Sequence, residues 1–292
     1  MYNTGQRNFV KGAKSKQMTW VIRLLINLVI LYVFVCLFTY FIQRRLLYYP
    51  DADAPNEAFI KAAGLAFWPS TSDSFRGYIS ADVDESKSGM VIVFHGNAGS
   101  AWNRGYYLRM LKSLGYRVLL AEYPGYGGRS GELCEKDFVQ DAKETIRLVH
   151  KLYDGPIYLI GSSLGCGVSA GAAADKSIPI DGMVLITPWD TLPKLAQTIY
   201  WFLPAQWLTR DKYDNILNLA GFQGRIAVAV AENDEVIPKQ HGLNLYDSLS
   251  NEKRLWTFEG AKHNTWSEKV GVTWWQQVMD FLEKKNEIPK QS

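Results

Sequence analysis

The sequence predicts an α/β fold, a mostly parallel twisted sheet with helices on both faces, preceded by one transmembrane helix. Three observations predict it. Short β-branched runs alternate with amphipathic segments from Met90 onward. Most of those runs are continuously apolar, as parallel strands covered on both faces must be. A long apolar stretch, Trp20 to Ile42, stands apart near the N-terminus.

Residues 1–19 form a basic tail in which Arg7, Lys11, Lys14 and Lys16 meet no acidic residue. Residues 20–42 read as a membrane anchor, because a helix of this length at ~1.5 Å per residue exceeds the ~30 Å hydrocarbon thickness. Arg23 is near enough to one end to snorkel, and Asn27 is the only strongly polar residue deeper in. Apolar residues surround the whole circumference, whereas a surface helix of a globular domain carries one apolar stripe. A signal peptide has a shorter apolar region followed by small residues at a cleavage site. Here Arg44 and Arg45 follow instead, and the nearest Ala-x-Ala pattern, Ala52 to Ala54, is distant and precedes Pro55. The tail's cations outnumber Arg44 and Arg45, so the positive-inside rule expects a cytoplasmic N-terminus and a catalytic domain on the opposite side.

A connecting segment covers residues 43–63, and residues 64–292 are expected to form one catalytic domain. Phe67–Asp82 can supply one or two antiparallel edge strands. Parallel strands are expected at Met90–His95, Val118–Tyr123, Pro156–Gly161, Met183–Thr187, Ile226–Ala231 and Leu255–Phe258. Helices are expected at Ala101–Leu114, Glu135–Tyr153, Leu164–Ala174, Lys239–Leu249 and Val270–Lys285. That alternation implies right-handed crossovers in a single sheet. Residues 188–225, rich in Trp, Tyr and Leu, are long enough for a small cap over the carboxyl ends of the strands.

Composition narrows the function classes. The net charge of the 292 residues is +3, with no basic stripe interleaved with aromatics, which argues against nucleic acid as a partner. The 10 Trp and 16 Tyr suit core and membrane-interface packing. Three cysteines make no disulfide framework, and Cys36 lies in the apolar stretch, leaving Cys134 and Cys166 as the only pair beyond it. Without a C-x-x-C or His/Cys cluster, a G-x-G-x-x-G or a P-loop, neither metal nor cofactor is implied.

Gly161-Ser162-Ser163-Leu164-Gly165 matches G-x-S-x-G directly after a strand-like run and before an Ala/Gly-rich helix. This is the setting of a nucleophile elbow, a strained turn that lifts the serine hydroxyl off the end of a sheet, with Gly161 and Gly165 small enough for strand and helix to approach. Ser163, not Ser162, is then the nucleophile. A serine needs a base to take its proton, and that base should follow a later strand. Of the 4 histidines, His95 and His150 precede or miss that position and His241 follows the acid too closely. His263, just after Leu255–Phe258, is correctly placed. The acid that orients the imidazole is assigned to Asp234, with Glu232 and Glu235 in the same loop and Asp190 after the preceding strand as rivals. The oxyanion requires two backbone N–H donors: Leu164, after the nucleophile, and Asn97, in the loop His95-Gly96-Asn97-Ala98-Gly99. Cys166, one helical turn inward of the serine, is expected to pack in the core.

With these residues in place the chain resembles the single-pass, membrane-anchored branch of the α/β-hydrolase domain-containing proteins over residues 40–282. Glu122-Tyr-Pro-Gly-Tyr-Gly-Gly-Arg-Ser-Gly131 is similar to that family's D-Y-x-G-Y-G-x-S-x-G loop, and Gln43-Arg-Arg-Leu-Leu-Tyr-Tyr-Pro50 to its post-anchor segment. Glu122 stands where the family has Asp, and an additional Gly lengthens the loop. The resemblance implies the α/β-hydrolase fold, with esterase, lipase or thioesterase activity in some members and peptidase assignments in others. The expected function is hydrolysis of an ester or thioester, with a small-molecule or lipid-like acyl substrate, at a membrane. A peptidase of the same fold and a non-catalytic membrane scaffold remain the alternatives.

Overall fold

The computed structural model describes residues 4–51, 53, 55–69, 74–82 and 89–283, with the side chains of residues 4–17 excepted. The cations of the basic tail, Ala52 and Ala54, residues 70–73 of the expected edge strands and the end of the helix expected to reach Lys285 therefore lie outside the described residues.

An α-helix, α1 (Thr4–Leu47), extends well beyond the apolar stretch at both ends. Its segment Met18–Leu47 is long and apolar enough to cross a membrane, and its apolar side chains are largely exposed. Then follow β1 (Tyr49–Pro50), α2 (Glu57–Ala62) and two edge strands, β2 (Leu65–Trp68) and β3 (Gly77–Ser80). The parallel series runs β4 (Met90–Phe94), β5 (Ala98–Gly99), α3 (Gly105–Lys112), β6 (Arg117–Ala121), α4 (Glu135–Leu152), β7 (Ile157–Ser162), α5 (Leu164–Ala173) and β8 (Gly182–Ile186). Three short helices, α6 (Leu192–Ile199), α7 (Ala205–Leu208) and α8 (Asn215–Leu219), occupy the expected cap. β9 (Arg225–Ala231), α9 (Lys239–Ser248), β10 (Lys253–Phe258) and α10 (Val272–Leu282) complete the chain.

The main sheet has 8 strands in the order β10-β9-β8-β7-β4-β6-β3-β2, with β3 antiparallel to both its neighbours and the other pairings parallel. Alternate residues of each strand feed two separate cores. Met90, Ile92 and Phe94 pack with Phe138 and Ile146 of α4 and Val168 of α5. Val91 and Val93 pack on the opposite face with Leu111 of α3 and Trp275 and Met279 of α10. Both faces are therefore dry, which is why the strands read as unbroken apolar runs. Most boundaries shift by one or two residues from the sequence expectation, and four of the shifts bear on the site. His95, Tyr123 and Thr187 fall just past their strands, and the helix expected from Ala101 begins as a 3₁₀ turn, Ala101–Arg104. Each of the three displaced residues lies at a carboxyl end: His95 and Tyr123 turn their side chains into loop contacts, while Thr187 still donates its N–H to Ala229 O (2.7 Å). A further pairing, β1 beside β5, was not visible in the pattern because it joins Tyr49 to Ala98 across the chain.

Candidate active site

The register Phe94↔Gly161, Ser162↔Ile186 and Ile186↔Ala229 aligns the carboxyl ends of β4, β7, β8 and β9. Phe258 of β10 pairs with Ala231. The loops leaving these strands must therefore converge, and three of them carry Ser163, Asp234 and His263.

Ser163 has φ 53 and ψ −114, a left-handed backbone that a non-glycine residue adopts only under constraint, at about 1–3 kcal/mol. The constraint is visible. The Ser163 N–H donates to Ile186 O (2.9 Å), and Ser163 O accepts from Cys166 N–H (2.9 Å) as α5 begins. A Cβ on Gly161 would meet Gly165 O at 2.5 Å, and one on Gly165 would collide with the Phe94 carbonyl. Only glycine lets strand and helix approach this closely.

His263 is buried and bridges the other two groups. With its proton on Nδ1 it donates to Asp234 Oδ2 (2.8 Å), and Nε2 then accepts from the Ser163 hydroxyl (3.2 Å). The side chain of Asp234 is 2% exposed, and its other oxygen accepts the N–H groups of Val236 (2.9 Å) and Ile237 (2.7 Å). The rivals have other partners: Glu232 takes Gly260 N–H (2.9 Å), Glu235 takes the backbone N–H of His263 (3.2 Å), and Asp190 takes His241 Nδ1 (2.8 Å).

Leu164 is the first residue of α5, where a helix leaves its N–H without an intrahelical acceptor. The loop after β4 lies against the serine, since a Cβ on Gly96 would stand 3.7 Å from Ser163 Cβ. Asn97 is fixed there from both sides. Its carbonyl accepts from Tyr49 N–H (2.9 Å) and the Tyr126 hydroxyl (2.7 Å), and its side-chain amide donates to Leu47 O (2.8 Å).

The sequence reading did not assign a role to Glu122. Fully buried, it accepts from the hydroxyl of Ser100 and the N–H of Ala101 (2.9 Å) and faces His95 Nε2 (3.0 Å). It therefore braces the loop carrying Asn97; its position in the resemblance to the D-Y-x-G-Y-G loop was the available signal. Cys166 is fully buried, and its thiol donates to Gly161 O and Ile186 O. Burial pushes that thiol well above its ordinary value, so it stays protonated and unreactive. Glu132, Cys134 and Asp137 bring ligand-type atoms within 4.8 Å of one another, a group that includes no residue around Ser163. Burial raises the Cys134 thiol above its ordinary value too.

Two cavities meet at Ser163. One, of about 330 Å³, is walled by Thr39, Leu46 and Leu47 of α1 and by Leu195, Ile199 and Leu203 of the cap. The other, of about 440 Å³, is more polar and lies among His95, Arg104, Tyr107, His263 and Trp266.

A family model described as alpha/beta hydrolase fold matches residues 89–224. An uncharacterised protein of Mycobacterium tuberculosis is 29% identical, over 79% of this chain and 83% of its own length. The lysophosphatidylserine lipase ABHD12 of Danio rerio is 27% identical over 59% of this chain, which spans only 50% of that lipase. Among solved structures, the Pyrococcus furiosus esterase Pf2001 superposes with a TM-score of 0.61 at 18% identity, over 81% of this chain and 98% of the esterase. At that identity the likeness speaks for the fold.

Proposed function

We propose that the chain, which the alpha/beta hydrolase fold model matches over residues 89–224, is a hydrolase of that family that cleaves acyl esters or thioesters at a membrane through a Ser163 acyl-enzyme. The reading is carried by one observation, the bridge from Asp234 through His263 to the Ser163 hydroxyl at the junction of an apolar and a polar cavity. Ser163 Oγ attacks the substrate carbonyl as its proton passes to His263 Nε2. The carbonyl oxygen becomes an oxyanion facing the N–H groups of Leu164 and Asn97, donors worth about 3 kcal/mol each. Collapse breaks the bond to the leaving group, which departs with the proton from His263. A water then gives its proton to His263 and its oxygen to the acyl carbon, releasing the acid and restoring Ser163. Asp234 holds the imidazole tautomer and stabilises its cationic form without itself taking the proton. The exposed apolar helix α1 is the anchor in this reading. The apolar cavity favours acyl chains over peptides, so p-nitrophenyl esters should turn over where aminoacyl anilides do not.

A fluorophosphonate probe tests the assignment. The wild-type chain should be labelled and Ser163→Ala should not. Equal labelling of the two would remove Ser163 from the chemistry, and no labelling of the wild type would favour a scaffold.

A further inference from the structure

We infer that the tip of the cap, Trp201, Phe202 and Trp207, lies in the same membrane leaflet as α1, and that the cavity at Ser163 loads its acyl chain from that leaflet between cap and helix. This rests on α1 being the anchor and Ser163 the nucleophile, and adds a second membrane contact and a route. The cap runs alongside the anchor. Tyr32 donates its hydroxyl to Phe202 O (3.2 Å), while Gln43 donates to Leu208 O (3.1 Å) and accepts from Arg210 N–H (2.7 Å). At ~1.5 Å per residue these two attachment points on α1 lie roughly 16 Å apart, about half of a ~30 Å hydrocarbon layer. A helix that spans the bilayer with Arg44 and Arg45 at its boundary therefore carries Phe202 well below the headgroups.

The cap's own chemistry follows the same gradient. Trp201 is 78% and Trp207 83% exposed, an uncommon loss for the largest apolar side chains in water. Toward the boundary the character reverses: Arg210 stacks on Tyr40 at 5.6 Å, Asp211 pairs with Arg44, and Lys212 is exposed. Aromatic, then basic, is the order of residues that an interface selects. The carbonyls of the tip are also occupied from within the protein. Gln197 donates to Leu203 O (2.9 Å) and Trp201 O (3.4 Å), and Phe202 O and Leu208 O take the Tyr32 and Gln43 donors. A loop in water has no need of this; a loop in hydrocarbon does. The cavity connects the two regions, since Thr39 of the spanning segment and Ser163 line the same space.

The test uses the full chain in lipid nanodiscs, in a Cys36→Ser background because Cys134 and Cys166 are buried. An environment-sensitive nitrobenzoxadiazole label at Phe202→Cys should emit to the blue and be quenched by doxyl-labelled phosphatidylcholine. The same label at Lys151→Cys, on the exposed end of α4, should be neither shifted nor quenched. Because carboxylates are expelled from hydrocarbon, Trp201→Glu with Trp207→Glu should lower turnover of a bilayer-embedded long-chain ester about tenfold or more, and change that of a soluble short-chain ester about twofold at most. The inference is overturned if the label at position 202 behaves like the one at 151, or if the double variant handles both esters like the wild type. Shielding at 202 that follows dimerisation and excludes doxyl lipid would also overturn it, identifying a second copy as the occupant. Carbonate extraction and fluorophosphonate labelling read the anchor and the nucleophile separately, so a failure of either is told apart from a failure of the cap to enter the leaflet.

Discussion

Asp234 engages both carboxylate oxygens at once, one on the imidazole of His263 and one on the amides of Val236 and Ile237. Replacing it by Asn keeps the shape and the turn bonds but permits the wrong imidazole tautomer, so kcat should fall about 10⁴-fold with little change in fold stability. Glu235→Gln makes the complementary measurement. Its side chain accepts only the backbone N–H of His263, which an amide oxygen can also accept, so kcat should stay within about tenfold of wild type. Steady-state kinetics on a p-nitrophenyl ester reads both, and equal losses would displace Asp234 from its role. At this scale the sequence identified a shortlist more readily than a choice. The strand-loop spacing isolates Ser163 and His263, but four carboxylates stand within reach of the imidazole by chain position alone. What separates them is which N–H each accepts, a property of loop geometry that spacing does not encode.

Two of the polar contacts that join the cap to the rest of the chain differ in character. Asp211 accepts from Arg44 through Nε (3.1 Å) and Nη2 (3.0 Å) and from the Tyr48 hydroxyl (3.1 Å), tying the cap to the end of α1. Asp211→Ala removes the acceptor of the part-buried Arg44 guanidinium and of the Glu135 N–H, while the Tyr48 hydroxyl keeps Tyr213, a loss of about 2–3 kcal/mol. In a chain of this size that should lower the melting temperature by roughly 5–10 °C, and loosening the helical wall of the cavity should reduce long-chain ester turnover more than short-chain. The second contact is Asp190 with His241, at the base of α6. Burial opposes ionisation of Asp190, yet bonds from His241 and the Thr191 N–H, with Lys194 nearby, hold it below its ordinary carboxylate value. A depressed native value means the unfolded chain binds the proton first. The contribution is therefore complete above the ordinary value of about 3.9 and disappears as the pH falls through the lower native one. Denaturation of wild type and Asp190→Asn between about pH 2.5 and pH 6 should show a stability gap that is constant at the upper end and closes at the lower; a gap independent of pH would refute it. Neither contact was legible in the sequence. The strands were, because two dry faces force continuous apolar runs, but Arg44 and Asp211 are brought together only by folding across 167 positions. The same holds for Leu47 and Asn97, so the part that α1 plays in walling the cavity could not be read from its apolar pattern.

If α1 is the membrane anchor and Ser163 the nucleophile, as proposed, the choice at the scale of the whole molecule is the side of the membrane on which Ser163 works. The folded domain presents cations near the boundary, Arg45, Arg210 and Lys212 among them, which by themselves would favour the cytoplasmic surface. Topology, however, is set as the helix inserts, by Lys and Arg within about 15–20 residues of its ends. Arg210 and Lys212 are far outside that window in the chain; Arg210 meets Gln43 of α1, and Lys212 meets Glu135 of α4, only once the chain has folded. At insertion the contest is between Arg7, Lys11, Lys14 and Lys16 on one flank and Arg44, Arg45 and, near the edge of that window, Lys61 on the other, and it favours a cytoplasmic N-terminus. A C-terminal alkaline phosphatase fusion should therefore be active and a C-terminal green fluorescent protein fusion dark; the reverse pair would place the catalytic domain in the cytoplasm. Charge variants test the cause as well as the outcome. Replacing Lys11, Lys14 and Lys16 by Gln should move part of the population to the opposite orientation, whereas Arg210→Gln with Lys212→Gln should leave it unchanged, because those charges arrive after the orientation is fixed.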